Sequence, residues 1–379
     1  MYSFPHPRGS RRQPGDILYL CSSFNPARIY HPHAKKNAGP PSGTGRGPLS
    51  GERGRHTPSW RELLTRFSGL VSGAAGWRFW YVPRVLYGGR EAHLVLNPAA
   101  NGGRSGRRRA WISGVLESAG VRPVWHVTRG TGDAYRIVRG LPDGTPAVAV
   151  GGDGTVHEVA AACAGTGRVM GVLPAGTGND YVKALGIGGD LRRALGVLVE
   201  GRVRAVDAGE VNGVPFNNGL GIGFDAEVAE GVAEAPPYLG GPGRYVWSVG
   251  RLLWGFRCHA ATLRLDGEAV IEAKTILVAV ALGTTYGSMF RLAPGAVLDD
   301  GLFEVVWSEE VSRTEVLGLI PSALWGTLTD QKKVHVARAR EVEVEMSEPV
   351  PAHVDGEMLS PTTEFRARVL PGALRVIGP

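Results

Sequence analysis

The rhythm of apolar and polar positions changes once decisively along the chain, near residue 203. Between residues 93 and 201 short apolar runs alternate with stretches that are apolar at every third or fourth position. Residues 93–96, 123–127, 147–150 and 169–173 read as strands. Residues 105–119 read as a helix with Trp111, Ile112, Val115, Leu116 and Ala119 on one face, and 133–138, 156–164 and 189–201 as further helices. Such alternation implies a parallel sheet with helices on both faces. From 203 onward strands follow one another. Asn212-Gly213 and Asp266-Gly267 are hairpin signals, and strands are expected at 274–281, 302–307, 334–337, 342–346 and 364–369, interrupted by one helix at 314–328. The pattern predicts an α/β domain over 89–206 and a mainly antiparallel β-sandwich over 207–371, with the boundary near 204–209. The C-terminal end, 372–379, is expected to pack back on the first domain.

Ahead of these domains the texture differs. Over residues 1–59, 24 of 59 are Gly, Pro or Ser and no hydrophobic period is sustained, which predicts disorder. Trp60, Leu63, Leu64, Phe67, Leu70 and Val71 then recur at helical spacing, so 1–88 reads as an extension with an amphipathic helix near 60–71. Packing against the α/β domain is the plain reading of that helix, and lying in a membrane interface is the alternative.

Charge sharpens the division. Residues 1–90 hold 14 Lys/Arg against 3 Asp/Glu, the remainder 28 against 32. The overall charge of +7 is therefore a property of the extension, and no nucleic-acid partner is expected for the main domains. The three cysteines, Cys21, Cys163 and Cys258, match no metal or disulfide framework. No apolar run reaches 18 residues, and 17–20 is too short for the core of a signal peptide. A cytoplasmic protein, peripheral at the inner face of the membrane, is expected.

Candidate chemistry gathers where the expected strands end. Gly151-Gly152-Asp153-Gly154-Thr155 follows the apolar run 147–150 and leads into a helix through Val156, His157 and Glu158. Glycines there let the backbone approach a ligand, and helix N-terminal amides favour a phosphate. Two further loops fall at strand ends: Asn97-Pro98-Ala99-Ala100-Asn101-Gly102-Gly103 and Pro174-Ala175-Gly176-Thr177-Gly178-Asn179-Asp180. Ligands of such sheets bind at these carboxyl ends. Asp180 stands where its carboxylate would face a metal or a hydroxyl; a helix cap at Asn179 or Asp180 is the bland alternative. His157 reads as a helix residue beside the loop. Asp266-Gly267-Glu268 reads as a plain hairpin turn, and Asp355-Gly356-Glu357 repeats its letters after Pro349, Val350 and Pro351.

The ordered combination of 151–158, 174–180 and Asp355-Gly356-Glu357 closely resembles the diacylglycerol kinase catalytic-domain family, which includes bacterial lipid kinases and sphingosine kinases. The likeness covers about 92–377. It implies an ATP-dependent lipid kinase of phospholipid metabolism that phosphorylates a lipid alcohol, diacylglycerol first. Sphingoid-base kinases, NAD-kinase-like enzymes and silent nucleotide-binding proteins are the alternatives, and a homodimer is admitted. By resemblance, Asn97, Pro98, Asn101, Thr128, Gly151, Gly152, Asp153, Gly154, Thr155, Glu158, Gly176, Thr177, Asn179 and Asp180 contact the nucleotide. Glu357 would act as base with Asp355 in support, and Asp153 and Asp180 would hold a catalytic magnesium directly or through water. Val297, Asp300 and Leu302 match a structural magnesium site of bacterial members. The segment 218–225 resembles the start of the family's second domain. Ala100-Asn101 departs from the usual Ser-Gly, although asparagine tolerates the positive φ that the turn needs. The family's asparagine near Leu282-Gly283 is absent. An apolar stripe of Leu317, Ile320, Leu324, Trp325 and Leu328 reads as core first and as a lipid pocket second.

Overall fold

The computed structural model describes residues 91–255 and 257–379. The extension and the helix expected at 60–71 lie outside the described residues. Strand β3 (Ala147–Gly151) has every residue buried, as a strand covered on both faces requires. It lies between β1 (Glu91–Leu96) and β4 (Val169–Pro174), with β2 (Arg122–Val127) beyond β1, all parallel. The chain moves outward from β1 to β2 and returns across the sheet to β3. That reversal opens a crevice at the carboxyl ends of β1 and β3.

Helices α1 (Arg104–Arg107), α2 (Arg109–Ser118), α3 (Asp133–Gly140), α4 (Asp153–Cys163), α5 (Asp180–Ala184) and α6 (Leu191–Glu200) connect these strands and cover them. Ile112 and Leu116 of α2 are buried as the spacing predicts, whereas Trp111 is 38% exposed and sits under the Arg192 guanidinium.

The second half is mainly antiparallel. Its strands are β5 (Val203–Val211), β6 (Val214–Phe216), β7 (Gly219–Gly223), β8 (His259–Leu265), β9 (Ala269–Thr275), β10 (Leu277–Ala281), β11 (Phe303–Ser308), β12 (Val334–Ala339), β13 (Glu341–Val354) and β14 (Glu357–Ile377). The order β12-β11-β10-β7-β13-β14 continues into β4-β3-β1-β2, because Arg375 and Val376 of β14 pair in parallel with Val169 and Met170. Strand β5 runs without a break through 204–209 and pairs along β14. The single strand expected at 274–281 is two, parted at Ile276, where Thr275 Oγ1 bonds both the N–H and the carbonyl of Leu277.

Two helices break the expected run of strands: α7 (Phe224–Glu234) and α8 (Gly240–Gly255). Glycine is a poor helix former, so Gly240-Gly241-Pro242-Gly243 at the start of α8 reads locally as loop. Helix α9 (Arg313–Trp325) has the capping box of Ser312 and Glu315 and stops at Gly326, whose φ of 74° is the left-handed cap. It ends short of the expected 328 for that reason.

Candidate active site

The loops after β1, β2, β3 and β4 enclose a cleft of about 490 Å³. Asn97, Pro98, Asn101, Thr128, Gly152, Gly154, Thr155, Glu158, Gly176 and Thr177 all line it, and Glu357 of the second half closes it. The first loop is a local construction. Asn97 Oδ1 accepts from the Ala99 amide at 3.0 Å, and Asn101 takes φ 53°, the left-handed geometry asparagine tolerates.

The glycines of the phosphate-type loops serve each other as much as any ligand. A Cβ on Gly176 would lie 2.3 Å from Gly152 Cα, so the β3 and β4 loops meet backbone to backbone. A Cβ on Gly178 would lie 2.5 Å from Asp153 Oδ2, and one on Gly154 would lie 3.2 Å from Glu357 Oε1. The third glycine, at 154, thus makes room for Glu357 directly over the α4 N-terminus. That end carries free amides and the positive end of the helix dipole.

Asp153 and Asp180 stand behind this surface and do not line the cleft. Asp153 accepts from the amides of Asn179 at 2.8 Å and Asp180 at 2.7 Å, pinning the third loop to the second. Burial first, and then the Asp180 carboxylate, push its pKa up to about 6. Asp180 bonds Lys183 Nζ at 3.0 Å and the Ser288 amide at 2.8 Å, so it does not cap its own helix. Asn179, with φ 55°, bonds Gly176 through both ends of its amide. Among the described residues no three His, Cys, Asp or Glu side chains converge as a metal cluster. With both Asp153 oxygens held by amides and Asp180 paired with Lys183, the two carboxylates fit a divalent cation on the cleft side only through water.

Glu158 and His157 correct the reading of the sequence. Glu158 faces the cleft, but its carboxylate accepts from the amides of Gly132 at 2.7 Å and Ala134 at 2.9 Å; it anchors the loop before α3. His157, which reads as an ordinary helix residue, is 5% exposed and lies with Nδ1 2.7 Å from Asp355 Oδ2. Nothing in the local sequence signals this, since the partner is 198 residues away. Asp355 also accepts from the amides of Asn217, Asn218 and Gly219 at 2.8–2.9 Å. Burial alone would raise its pKa, but His157 and these amides outweigh burial and hold the carboxyl below the usual range. In His157 burial opposes the charge, and Asp355 outweighs it and lifts the ring above its usual range. A carboxylate so engaged is a poor proton acceptor; Asp355 ties the β7 entry, α4 and the Glu357 turn together. Glu357 is exposed at the cleft wall and free to meet a hydroxyl.

The sequence also does not single out Arg129, Gly130 and Thr131, which line the cleft after β2. Only their place at a strand's carboxyl end marks them, and Arg129 brings a guanidinium to a phosphate-type cleft.

The loop matched to a structural magnesium is held otherwise. Asp300 accepts from the Leu302 amide at 3.1 Å and pairs with the Arg338 guanidinium. Asp207, 3% exposed, accepts from the amides of Gly301 and Gly372 and donates its own amide to the Leu298 carbonyl. Arginine already balances the Asp300 charge, so Val297, Asp300 and Leu302 do not fit a resident cation.

A second cavity lies in the β half, between α7, α9 and the β10–β11 face. Phe224, Leu292, Val306, Leu319, Ile320 and Leu328 are among its apolar lining, and Asp225 is its one charged side chain among the described residues. The stripe expected at 317–328 therefore splits: Ile320 and Leu328 face the cavity, while Leu317, Leu324 and Trp325 are exposed at 54%, 39% and 77%.

Residues 91–211 match the diacylglycerol kinase catalytic domain, and 219–378 match the YegS C-terminal NAD kinase beta sandwich-like domain. A protein of Pseudomonas aeruginosa named "Probable lipid kinase YegS-like" is 35% identical over 262 residues, 68% of this chain and 83% of its own. A Bacillus subtilis diacylglycerol kinase is 28% identical over 273 residues, 71% of this chain and 90% of its own. In fold, the crystal structure of a diacylglycerol kinase from Bacillus anthracis superposes with a TM-score of 0.60 at 21% identity, covering 76% of this chain and 97% of that one.

Proposed function

The chain belongs to the diacylglycerol kinase catalytic-domain family, and from that premise we propose that it transfers the γ-phosphoryl group of ATP to the hydroxyl of a lipid alcohol, diacylglycerol giving phosphatidic acid. One observation carries this reading: Glu357, from the half that holds the apolar cavity, lies over the phosphate-type loop at Gly154. The half that holds the apolar cavity thus also brings a carboxylate to the phosphate-type loop of the other half.

Phosphoryl transfer asks the protein for a cradle, charge neutralisation and alignment. The amides at the start of α4 and the loop at 174–180 would cradle the phosphates, with the Arg129 guanidinium beside them. Through water, Asp153 and Asp180 would hold magnesium, which when bound spreads the charge of the phosphates. Glu357 accepts the hydroxyl proton as the acceptor oxygen bonds to the γ-phosphorus. The bond from that phosphorus to the β-bridging oxygen breaks, and ADP leaves. His157 and Asp355 keep the Glu357 turn in register with α4.

Peripheral membrane contact belongs to the same proposal. Leu317, Leu324 and Trp325 present an apolar outer face on the helix that walls the cavity. Among the described residues no helix is long and apolar enough to cross a membrane.

Incubation with labelled ATP, magnesium and, in parallel, diacylglycerol vesicles, NAD or buffer tests the assignment. Label should move into the organic phase with the lipid; label on NAD, or in no acceptor, overturns it.

A further inference from the structure

A second histidine–carboxylate pair touches the Glu357 turn, and the transfer scheme does not use it. His353 is 5% exposed; its Nε2 lies 3.0 Å from Asp225 Oδ2, and its Nδ1 lies 3.2 Å from the amide nitrogen of Gly356. A backbone amide can only donate. Nδ1 is therefore the acceptor, the ring proton sits on Nε2, and it points at Asp225.

Strand β7 is shaped around this pair. Gly221 pairs with His353 across the ladder, and a Cβ there would lie 2.2 Å from Asp225 Oδ2 and 2.7 Å from His353 Nε2. Two residues earlier, a Cβ on Gly219 would lie 1.7 Å from the Tyr286 hydroxyl, and the Tyr286 ring meets His353 edge-on with centroids 6.3 Å apart. Both glycines clear a polar track across one face of the sheet. At one end is Asp225, in the first turn of α7 and, among the described residues, the sole charged group lining the apolar cavity. At the other is Gly356, whose neighbour in the chain is Glu357.

We propose that His353 and Asp225 are positioning residues that hold Glu357 in register with an acceptor bound in the apolar cavity. The inference rests on the kinase reading. His353 restrains the turn through the Gly356 amide, and Asp225 orients His353 while facing the acceptor. Asp355, bonded to His157, fixes the same turn from the nucleotide side. The turn is thus held at both edges, and the base sits between its two substrates.

Two conservative variants separate the two ring nitrogens. H353N keeps an acceptor near the Nδ1 position for the Gly356 amide but does not reach Asp225. H353Q keeps a donor near the Nε2 position for Asp225 but offers Gly356 nothing. With ATP, magnesium and dispersed diacylglycerol, H353Q should lose about tenfold or more in kcat while KM for ATP stays unchanged. H353N should stay within about threefold of the parent in kcat, with a raised KM for the lipid. Equal losses of kcat in both variants, or losses that merely follow their melting temperatures, overturn the proposal. Amide hydrogen exchange at Gly356 reads the restraint without turnover: about tenfold faster in H353Q and unchanged in H353N. Parent protein that phosphorylates no lipid would sink the kinase reading alone. Equal exchange at Gly356 in both variants would sink the positioning role alone.

Discussion

Asp266-Gly267-Glu268 and Asp355-Gly356-Glu357 share their letters and their local geometry. In both, Asp and Gly take positive φ, 51° and 73° in the first, 52° and 89° in the second, and both close hairpins. Their surroundings differ. Asp266 accepts from the amides of Arg340 and Glu341 at an exposed edge, so its carboxylate fastens one hairpin to the next strand. Asp355 is buried between α4 and the β7 entry, paired with His157 and three amides, and the glutamate after it hangs over the phosphate-type loop. The turn chemistry is identical. What packs on the turn decides whether it is a fastening or a site.

The sharpest way to break the comparison is to treat both glutamates alike. E357Q should lower lipid phosphorylation by about a thousandfold or more, the scale of losing a base and its alignment together, while E268Q leaves the rate within about twofold. Equal effects measured with labelled ATP would erase the distinction. Next in size is the histidine that only the later copy has. H157L should cost roughly 30-fold in kcat, and H157N, which keeps a donor near Nδ1, about fivefold or less. D266N should leave kcat unchanged and lower stability by about 1 kcal/mol in urea unfolding, the worth of a weakened hydrogen bond.

Smaller effects sharpen it further. The pKa of His157 is raised from 6.5 in the folded protein, so the stability it contributes is fully present below 6.5 and is lost as pH rises through the folded value. Melting temperature should fall over that window above pH 6.5 in the parent, the fall should shrink in H157N, and D266N should keep it. The smallest expected effect concerns the loop at 297–302. With Arg338 on Asp300, adding a chelator to the nucleotide-free protein should not shift its melting temperature.

Much of the architecture is legible in the chain itself. Short apolar runs of strand length, separated by helical periods and ending in glycine loops, leave few arrangements besides a parallel sheet with a cleft at its carboxyl edge. The turns at Asn212-Gly213, Asp266-Gly267 and Asp355-Gly356 are likewise local, because positive φ restricts the residue types that can stand there. Helices α7 and α8 were not legible: glycine and proline in 240–243 hide the period, and α8 packs on α7, where Ser248 bonds the Val228 carbonyl, although propensity disfavours its start.

The site divides along the same line. Residues of the cleft follow strand ends, so their neighbourhood is set by chain order, and Asn97, Gly152, Gly154, Gly176 and Thr177 can be read directly. Whether a polar residue is a ligand contact, an anchor or a base depends on partners distant in sequence. His157 meets Asp355 and Asp225 meets His353 only because β13 and β14 carry their turn back between the two halves. A hydrogen bond requires atoms within about 3 Å, and nothing local to a residue specifies which distant group will come that close. The chain alone thus determined its sheets, turns and phosphate-type loops, and the tertiary structure decided which of two identical turns hangs its glutamate over a phosphate-type loop.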